Sequence, residues 1–206
     1  LKDLRINNFE NIDLVIVNFY PFENTLKKTT NHNKIITDAI NMCEARGDAF
    51  LIVDNVTKGT SIADAKTNTE VRNTSYAAAY YPNIRLGDTL NGNETVLKAP
   101  PSVAALGAIG KSEADSQPWF APAGFNRGGL TDGAAGIPVT GVTTRLTSKE
   151  RDVLYEARIN PIASFPSSGI VVFGQKTLQE RQSALDRINV RRLVIYLKKQ
   201  ISILST

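Results

Sequence analysis

Residues 105–112 are the chain's nearest approach to a nucleotide-binding motif. The segment reads ALGAIGKS and matches the phosphate-binding loop G-x-x-x-x-G-K-[ST], except that Ala105 stands in place of the first glycine. A phosphate-binding loop follows a strand and opens a helix. This segment instead falls at the end of a predicted helix, with Gly110 as the expected C-cap. The sequence therefore predicts no nucleotide site and no bound cofactor.

A catalytic triad or a metal centre would have to use the single histidine, His32. It lies in the polar stretch TTNHNK, without a nucleophile elbow or an oxyanion loop, so we expect a solvated loop histidine. The single cysteine, Cys43, excludes an internal disulfide and a cysteine-based metal cluster. Asp13 and Asp54 lie at predicted strand ends, where an isolated Asp more often caps a turn. We expect no metal site and no enzymatic activity.

Basic residues are concentrated between positions 176 and 199. This segment holds seven Lys or Arg against two Asp or Glu, an excess of +5, whereas the whole chain has a net charge of +4. The alternatives are a solvated helix face, a surface for an acidic protein, and a surface for nucleic acid. Only Tyr196 offers a ring for base stacking, so we expect no nucleic-acid partner. The candidates for a charged surface that faces a partner are Arg187, Arg191, Arg192, Lys198 and Lys199.

Apolar runs of strand length alternate with helical patterns in the first part of the chain. Strands are predicted at residues 13–19, 49–54 and 75–81, and helices at residues 34–46 and 61–72. This alternation indicates an α/β fold with a largely parallel sheet flanked by helices.

The second part of the chain adds further elements. A helix is predicted over residues 102–109, and an irregular segment rich in Gly and Pro covers residues 116–144. Thr147 and Glu150 have the spacing of a capping box and open a helix that ends near residue 157.

The last part of the chain predicts a C-terminal β-hairpin and helix. Residues 159–164 and 169–174 form two strand-like runs, and the residues between them supply the turn. The following helix carries one apolar stripe: Val190, Leu193, Val194, Leu197, Ile201 and Leu204. The predicted sheet core contains Val15, Val17, Leu51, Val53, Ala77, Ala79, Val171 and Phe173.

The length of 206 residues suits one domain spanning residues 1–206, with a candidate sub-boundary in the irregular segment 116–146. No apolar run is long enough to span a membrane, so we expect no membrane partner. The chain starts with Leu1 and contains one methionine, Met42, so we expect a portion of a longer protein.

Several segments resemble the contractile tail sheath proteins of bacteriophages. They are residues 44–48 (EARGD), 75–82 (SYAAAYYP), 118–128 (PWFAPAGFNRG), the hairpin at 158–174, and 189–193 (NVRRL). The match extends in order from about residue 14 to residue 201.

The resemblance implies a structural role. Subunits of that family form stacked six-membered rings around a tail tube, and their terminal arms add strands to neighbouring sheets. Contraction is a rigid-body rearrangement that drives the tube through the host envelope during genome ejection. The implied partners are other sheath subunits, the tail tube protein and the baseplate, in a virion tail assembled in the host bacterial cytoplasm. The family's terminal arms have no counterpart in this sequence, so we expect this chain alone to be a monomer.

Two alternatives remain open at this stage. One is an α/β hydrolase-like enzyme with an unrecognised active site, for which a Ser-His-Asp geometry around His32 would be the evidence. The other is the sheath of a bacterial contractile injection system, which would share the mechanism and differ in cargo.

Overall fold

In the computed structural model, the described residues are 12–17, 26–55, 61–87, 96–131, 136 and 139–205. The elements in chain order are β1 (Leu14–Ile16), α1 (Leu26–Arg46), β2 (Phe50–Asp54), α2 (Ile62–Glu70), β3 (Ala77–Tyr81), β4 (Ile84–Gly87), β5 (Val96–Ala99), α3 (Pro101–Asp115), α4 (Gly124–Arg127), β6 (Val139–Val142), α5 (Ser148–Glu156), β7 (Ile159–Phe165), β8 (Gly169–Val172) and α6 (Ile188–Leu204). A short 3₁₀ turn, Ala184–Asp186, precedes α6.

The main sheet has five strands in the order β1-β2-β3-β7-β8. The first four strands run parallel, and β8 pairs antiparallel with β7. Parallel neighbours need a crossover, and α1 and α2 supply the crossovers between the first three strands. A smaller antiparallel sheet has the order β5-β4-β6. The predicted fold class, a largely parallel sheet with flanking helices and a C-terminal hairpin and helix, is confirmed.

The strands β2 and β3 are buried at every residue because the sheet is covered on both faces. Successive side chains point to opposite faces. Leu51 and Val53 pack in one cluster with Ile36 and Cys43 of α1. The alternate residues of β2 and β3 pack on the other face with α3 and with Ile188 and Ile195 of α6.

The predicted core is mostly confirmed. Leu51, Val53, Ala77, Ala79 and Val171 are buried. Val15 and Val17 are only half-buried, because β1 lies at the edge of the sheet. The prediction for Phe173 is wrong: its side chain is 39% exposed, because β8 ends at Val172 and the ring lies beyond the covered part of the sheet.

Several predicted bounds need correction. The first helix begins at Leu26, eight positions earlier than expected. The helix α3 continues to Asp115, so Gly110 is an interior position and not a C-cap. The segment predicted to be irregular contains α4 and β6. Of the strand predicted at residues 13–19, the last two positions lie outside the described residues.

The capping box at the start of α5 is confirmed. The Glu150 amide donates to the Thr147 hydroxyl at 3.3 Å, and the Thr147 amide donates to the Glu150 carboxylate at 2.7 Å. These bonds also lower the pKa of Glu150. The reciprocal pair satisfies donors that would otherwise have no partner at a helix N-terminus.

The hairpin is closed by a glycine that has no substitute. Gly169 has a φ of +67°, and a Cβ at this position would lie 1.9 Å from the Thr131 hydroxyl oxygen. The same hydroxyl accepts from the Ile170 amide at 2.8 Å. The hairpin turn at Gly169 and the segment at Thr131 therefore pack directly against each other, with no space for a larger residue at position 169.

Candidate functional site

The segment that resembles a phosphate-binding loop lies entirely inside α3. Its backbone amides are used in helical hydrogen bonding, and Lys111 forms an ion pair with Asp115 one turn later. A phosphate cradle needs free amides in a loop. The geometry supports the expectation that residues 105–112 bind no nucleotide, which stays a prediction.

Polar residues at the carboxyl end of β2 form a buried, hydrogen-bonded cluster. His32 Nε2 lies 2.8 Å from the main-chain oxygen of Asp54, and the Asp54 carboxylate accepts from the Ser102 amide at 2.9 Å. All three residues are buried. Burial raises the pKa of Asp54 to about 6, and the hydrogen bonds from Ser102 partly offset the rise.

The expected position of His32 is wrong. It lies inside α1, fully buried, because the helix begins well before the predicted start. His32 precedes Ile36 by four residues and so shares its face of the helix. In a catalytic triad the carboxylate orients the histidine and the histidine faces the serine. Here the ring bonds to a main-chain oxygen and the carboxylate accepts from the Ser102 amide, which is not the hydrogen-bond pattern of a triad.

The two arginines of the NVRRL segment face the interior of the fold. Arg191 is 6% exposed, donates to the Ser75 hydroxyl and lies 4.1 Å over the Tyr76 ring. Arg192 is equally buried, pairs with Glu113 and donates to the Pro118 oxygen at 3.0 Å. Burial lowers the pKa of both groups. The prediction that they form an exposed charged face is therefore corrected.

The other basic candidates lie nearer the surface. Arg187 donates to the Tyr155 hydroxyl at 2.5 Å and lies 3.2 Å from the Asp186 carboxylate. Lys199 pairs with Asp13 and donates to the Ile12 oxygen at 2.8 Å. Lys198 is exposed, 6.0 Å from the centre of the Tyr76 ring. A role for these three residues toward a partner stays a prediction.

The sequence analysis did not predict that α6 buries two of its charged residues. Its buried positions are Ile188, Arg191, Arg192 and Ile195, which share one helix face. The predicted apolar stripe lies largely on the outer side, where Leu197 is 47% and Ile201 is 63% exposed. The spacing of the two isoleucines around the arginine pair was the available signal.

The two edges of the main sheet differ, and the difference defines the candidate site. At β8 the outer edge is occupied: Leu130 donates to the Ile170 oxygen, and Val172 donates to the Gly128 oxygen, both at 2.8 Å. At the other edge, β1 pairs with β2 alone among the described residues. An edge strand presents main-chain N–H and C=O groups to which another chain can add a strand.

Metal ligands, long apolar helices and the cysteine are the remaining features that bear on the expectations from sequence. Within them, no cluster of three His, Cys, Asp or Glu side chains is arranged to hold a metal ion. No helix among them is long and apolar enough to cross a membrane. Cys43 is buried, and burial raises the pKa of its thiol to about 12.

Solved structures of contractile sheaths share this fold. The chain superposes on the anti-feeding prophage helical sheath in its contracted state with a TM-score of 0.67 and 26% identity, covering 98% of this chain and 49% of that one. The sheath complex of an extracellular contractile injection system gives a TM-score of 0.68 at 20% identity. The fold is that of a contractile sheath subunit.

Within that class, the sequence is similar to phage tail sheath proteins. The tail sheath protein of Vibrio phage KVP40 is 47% identical over 87 residues, which are 42% of this chain and 12% of that protein. The tail sheath protein of Enterobacteria phage T4 is 35% identical over 102 residues, or 50% of this chain and 15% of that protein. No family model matches the chain. The predicted resemblance is confirmed, and the chain spans about half the length of the sheath chains that share its fold.

Proposed function

We propose that this chain is part of a structural subunit of a contractile sheath. The observation that carries the proposal is the match of fold over 98% of the chain to a contracted helical sheath, together with sequence similarity to tail sheath proteins of phages. The subunit polymerises around a tail tube and contracts to drive the tube through the host envelope. Its partners are other sheath subunits in stacked hexameric rings, the tube protein and the baseplate.

Assembly proceeds by strand addition at the open edge of the sheet. β1 has no outer neighbour among the described residues, and Ile16 is 43% exposed on it. An arm from an adjacent subunit would bond to the outward amides and carbonyls of this strand. Without such an arm, the contacts left to the chain are small, so we expect a monomer of 22.5 kDa at tens of micromolar by light scattering.

The body of the subunit moves as one unit during contraction. Lys199 links the end of α6 to Asp13 beside β1, and Arg192 links the same helix to α3. Force applied to the edge strand would therefore reach the helices through ion pairs as well as through the sheet. This agrees with a rigid-body mechanism, in which flexible connections lie between subunits.

The chain forms one domain. β6 lies in the segment where a sub-boundary was a candidate, yet it pairs with β4 of the small sheet. The residues just before it close the edge of β8. A segment tied to both sheets is a poor place for a domain boundary.

The subunit works without catalysis. Among the described residues, the cluster of His32, Asp54 and Ser102 is buried, and His32 Nε2 lies 2.8 Å from the main-chain oxygen of Asp54. The hydrolase alternative has no further support in the described residues. The protein belongs in the tail of a virion assembled in the host bacterial cytoplasm.

An antibody raised against the purified chain tests the proposal. It would be applied to contractile particles from the strain that carries the coding sequence, followed by gold labelling and electron microscopy. We expect gold along the tail shaft in both the extended and the contracted state. Labelled particles with a capsid indicate a phage, and labelled particles without one indicate an injection system. Gold on capsids alone would contradict a sheath function.

A further inference from the structure

The helix α6 crosses the amino ends of the strands and reaches the β1 edge of the main sheet. Arg191 donates to the Ser75 hydroxyl, just before β3, and Lys199 donates to the main-chain oxygen of Ile12 at 2.8 Å, just before β1. The helix rises about 12 Å from Arg191 to Lys199, and two strand spacings from β3 to β1 amount to about 10 Å. The direction of α6 is therefore from β3 across β2 toward β1.

One side of α6 is directed toward this edge. Arg192, Tyr196, Lys199 and Ile203 recur at intervals of three or four residues, so they share one side of the helix. Lys199 pairs with Asp13 beside β1, and Ile203 is 64% exposed. Ile203 lies about 6 Å farther along the helix axis than Lys199, which is more than one strand spacing of about 4.8 Å. This places Ile203 over the position that a strand added outside β1 would take.

A cavity lies between this side of α6 and Asp13. Its volume is about 160 Å³, and its lining residues are Asp13, Glu113, Pro118, Arg192, Ile195 and Tyr196. Both carboxylates have cationic partners, because Asp13 pairs with Lys199 and Glu113 pairs with Arg192. The other walls include a proline, an isoleucine and an aromatic ring. A cavity of about 150 Å³ can hold one benzene ring, so this cavity suits the apolar side chain of a single residue.

The strand β1 presents an apolar side chain on the same face of the sheet. Leu14 packs in the cluster that contains Ile188 and Ile195 of α6. Ile16 lies two positions later, so its side chain points to the same face, and it is 43% exposed. When a strand adds to a sheet edge, main-chain bonds supply affinity, and contacts with alternate side chains supply specificity.

We propose that this side of α6 binds the strand that a second copy adds at β1, and that it selects an apolar side chain level with Asp13. That side chain enters the cavity and lies beneath Ile203. The inference rests on the proposed strand addition and names the chemistry of the strand that is accepted. A shift of one residue would turn the opposite set of side chains toward α6, so the same contact fixes the register of the added strand.

Two substitutions near the end of α6 test this contact. Ile203→Glu places a charge over the added strand. Ile201→Glu is the matched control, because Ile201 is 63% exposed and its side chain points about 200° around the helix axis from that of Ile203. Each variant replaces the wild-type subunit in the strain that carries the coding sequence. Pelleting and quantitative immunoblotting give the fraction of subunit in assembled sheath, and thermal melting of each purified variant shows whether it is folded.

We expect Ile203→Glu to lower the assembled fraction by about tenfold, because strand addition would bury an unpaired carboxylate against an apolar side chain. Ile201→Glu and the conservative variant Ile203→Val should assemble as the wild type does. Normal assembly of Ile203→Glu, or an equal loss in Ile201→Glu, would overturn the proposal.

A density map of the wild-type sheath gives a second test that does not depend on the folding of a variant. We expect an apolar side chain from a neighbouring subunit's strand within about 4 Å of Ile203. A map in which Ile203 is covered by its own subunit, by a different protein or by solvent alone would overturn the proposal. None of these results would alter the labelling of the wild-type sheath by the antibody, which tests the function separately.

Discussion

The two edges of the main sheet differ in whether other parts of the described chain cover them. The β8 edge is closed by the chain itself, through main-chain bonds from residues 128–130 and the Thr131 hydroxyl. The β1 edge has three residues and one strand neighbour among those described. Proteins usually protect sheet edges, because an open edge pairs with other chains. Within the described residues, one covered and one uncovered edge suits the proposed strand addition at a single side of the sheet.

Opening the closed edge has the largest expected effect. A Cβ at Gly128 would lie 2.4 Å from the Val172 main-chain oxygen, whereas a Cβ at Gly129 meets nothing within 4 Å. We expect Gly128→Ala to lower the free energy of unfolding by about 3 kcal/mol, because the closing segment must move off β8. Gly129→Ala is the matched control and should change it by under about 0.5 kcal/mol. Urea denaturation of both variants measures the difference. Equal stability of the two would show that the 128–130 segment does not close the edge.

The next largest effect concerns the ion pair between Arg192 of α6 and Glu113 of α3. Arg192→Met removes the buried guanidinium that pairs with Glu113 and contacts Pro118. We expect a loss of about 1–2 kcal/mol in unfolding free energy, because the buried hydrogen bond to the Pro118 oxygen is lost and Glu113, which is 35% exposed, keeps only solvent as its partner. Adding Glu113→Gln should recover part of the loss, since the unpaired charge is removed. An unchanged denaturation midpoint in Arg192→Met would contradict the anchoring of α6.

A smaller, pH-dependent effect concerns Asp54, the last residue of β2, which is the strand that pairs with β1. Its folded pKa of about 6 lies above the value of about 3.9 for an unfolded chain. The folded state therefore binds the proton more tightly, and this group's contribution to stability is present at low pH and lost as pH rises through about 4 to 6. We expect Asp54→Asn to gain stability relative to wild type by about 2 kcal/mol between pH 4 and pH 7. A difference that is constant with pH would show that burial does not raise this pKa.

The parts of the fold that were predictable from sequence are those fixed by local patterns. The apolar runs of β2 and β3, the turn chemistry before Gly169 and the Thr147 capping box each depend on residues close in sequence. Their physical causes are the period of the apolar side chains and the backbone φ that a turn requires. Both can be inferred from the residue types alone.

The parts that were not predictable depend on distant partners. Arg191 contacts a residue 116 positions away, and Arg192 contacts one 74 positions away. Their burial depends on how α6 packs against the rest of the fold. A prediction based on their charge alone therefore put them on the surface. The burial predicted for Phe173 was wrong for a related reason. Its exposure depends on where β8 ends and on the position of the Phe125 ring of α4. Predicting that β1 lies at an edge of the sheet would have required the strand order, which no local sequence pattern specifies.

A density map of the assembled sheath that carries this sequence tests the central claim most directly. We expect a strand from a neighbouring subunit to lie about 4.8 Å from Leu14–Ile16, bonded to the main chain on the side away from β2. The edge at β8 should remain covered by residues 128–130 of the same chain. A sheath in which β1 has no strand from a neighbour, or in which neighbouring strands add at β8 instead, would contradict the account.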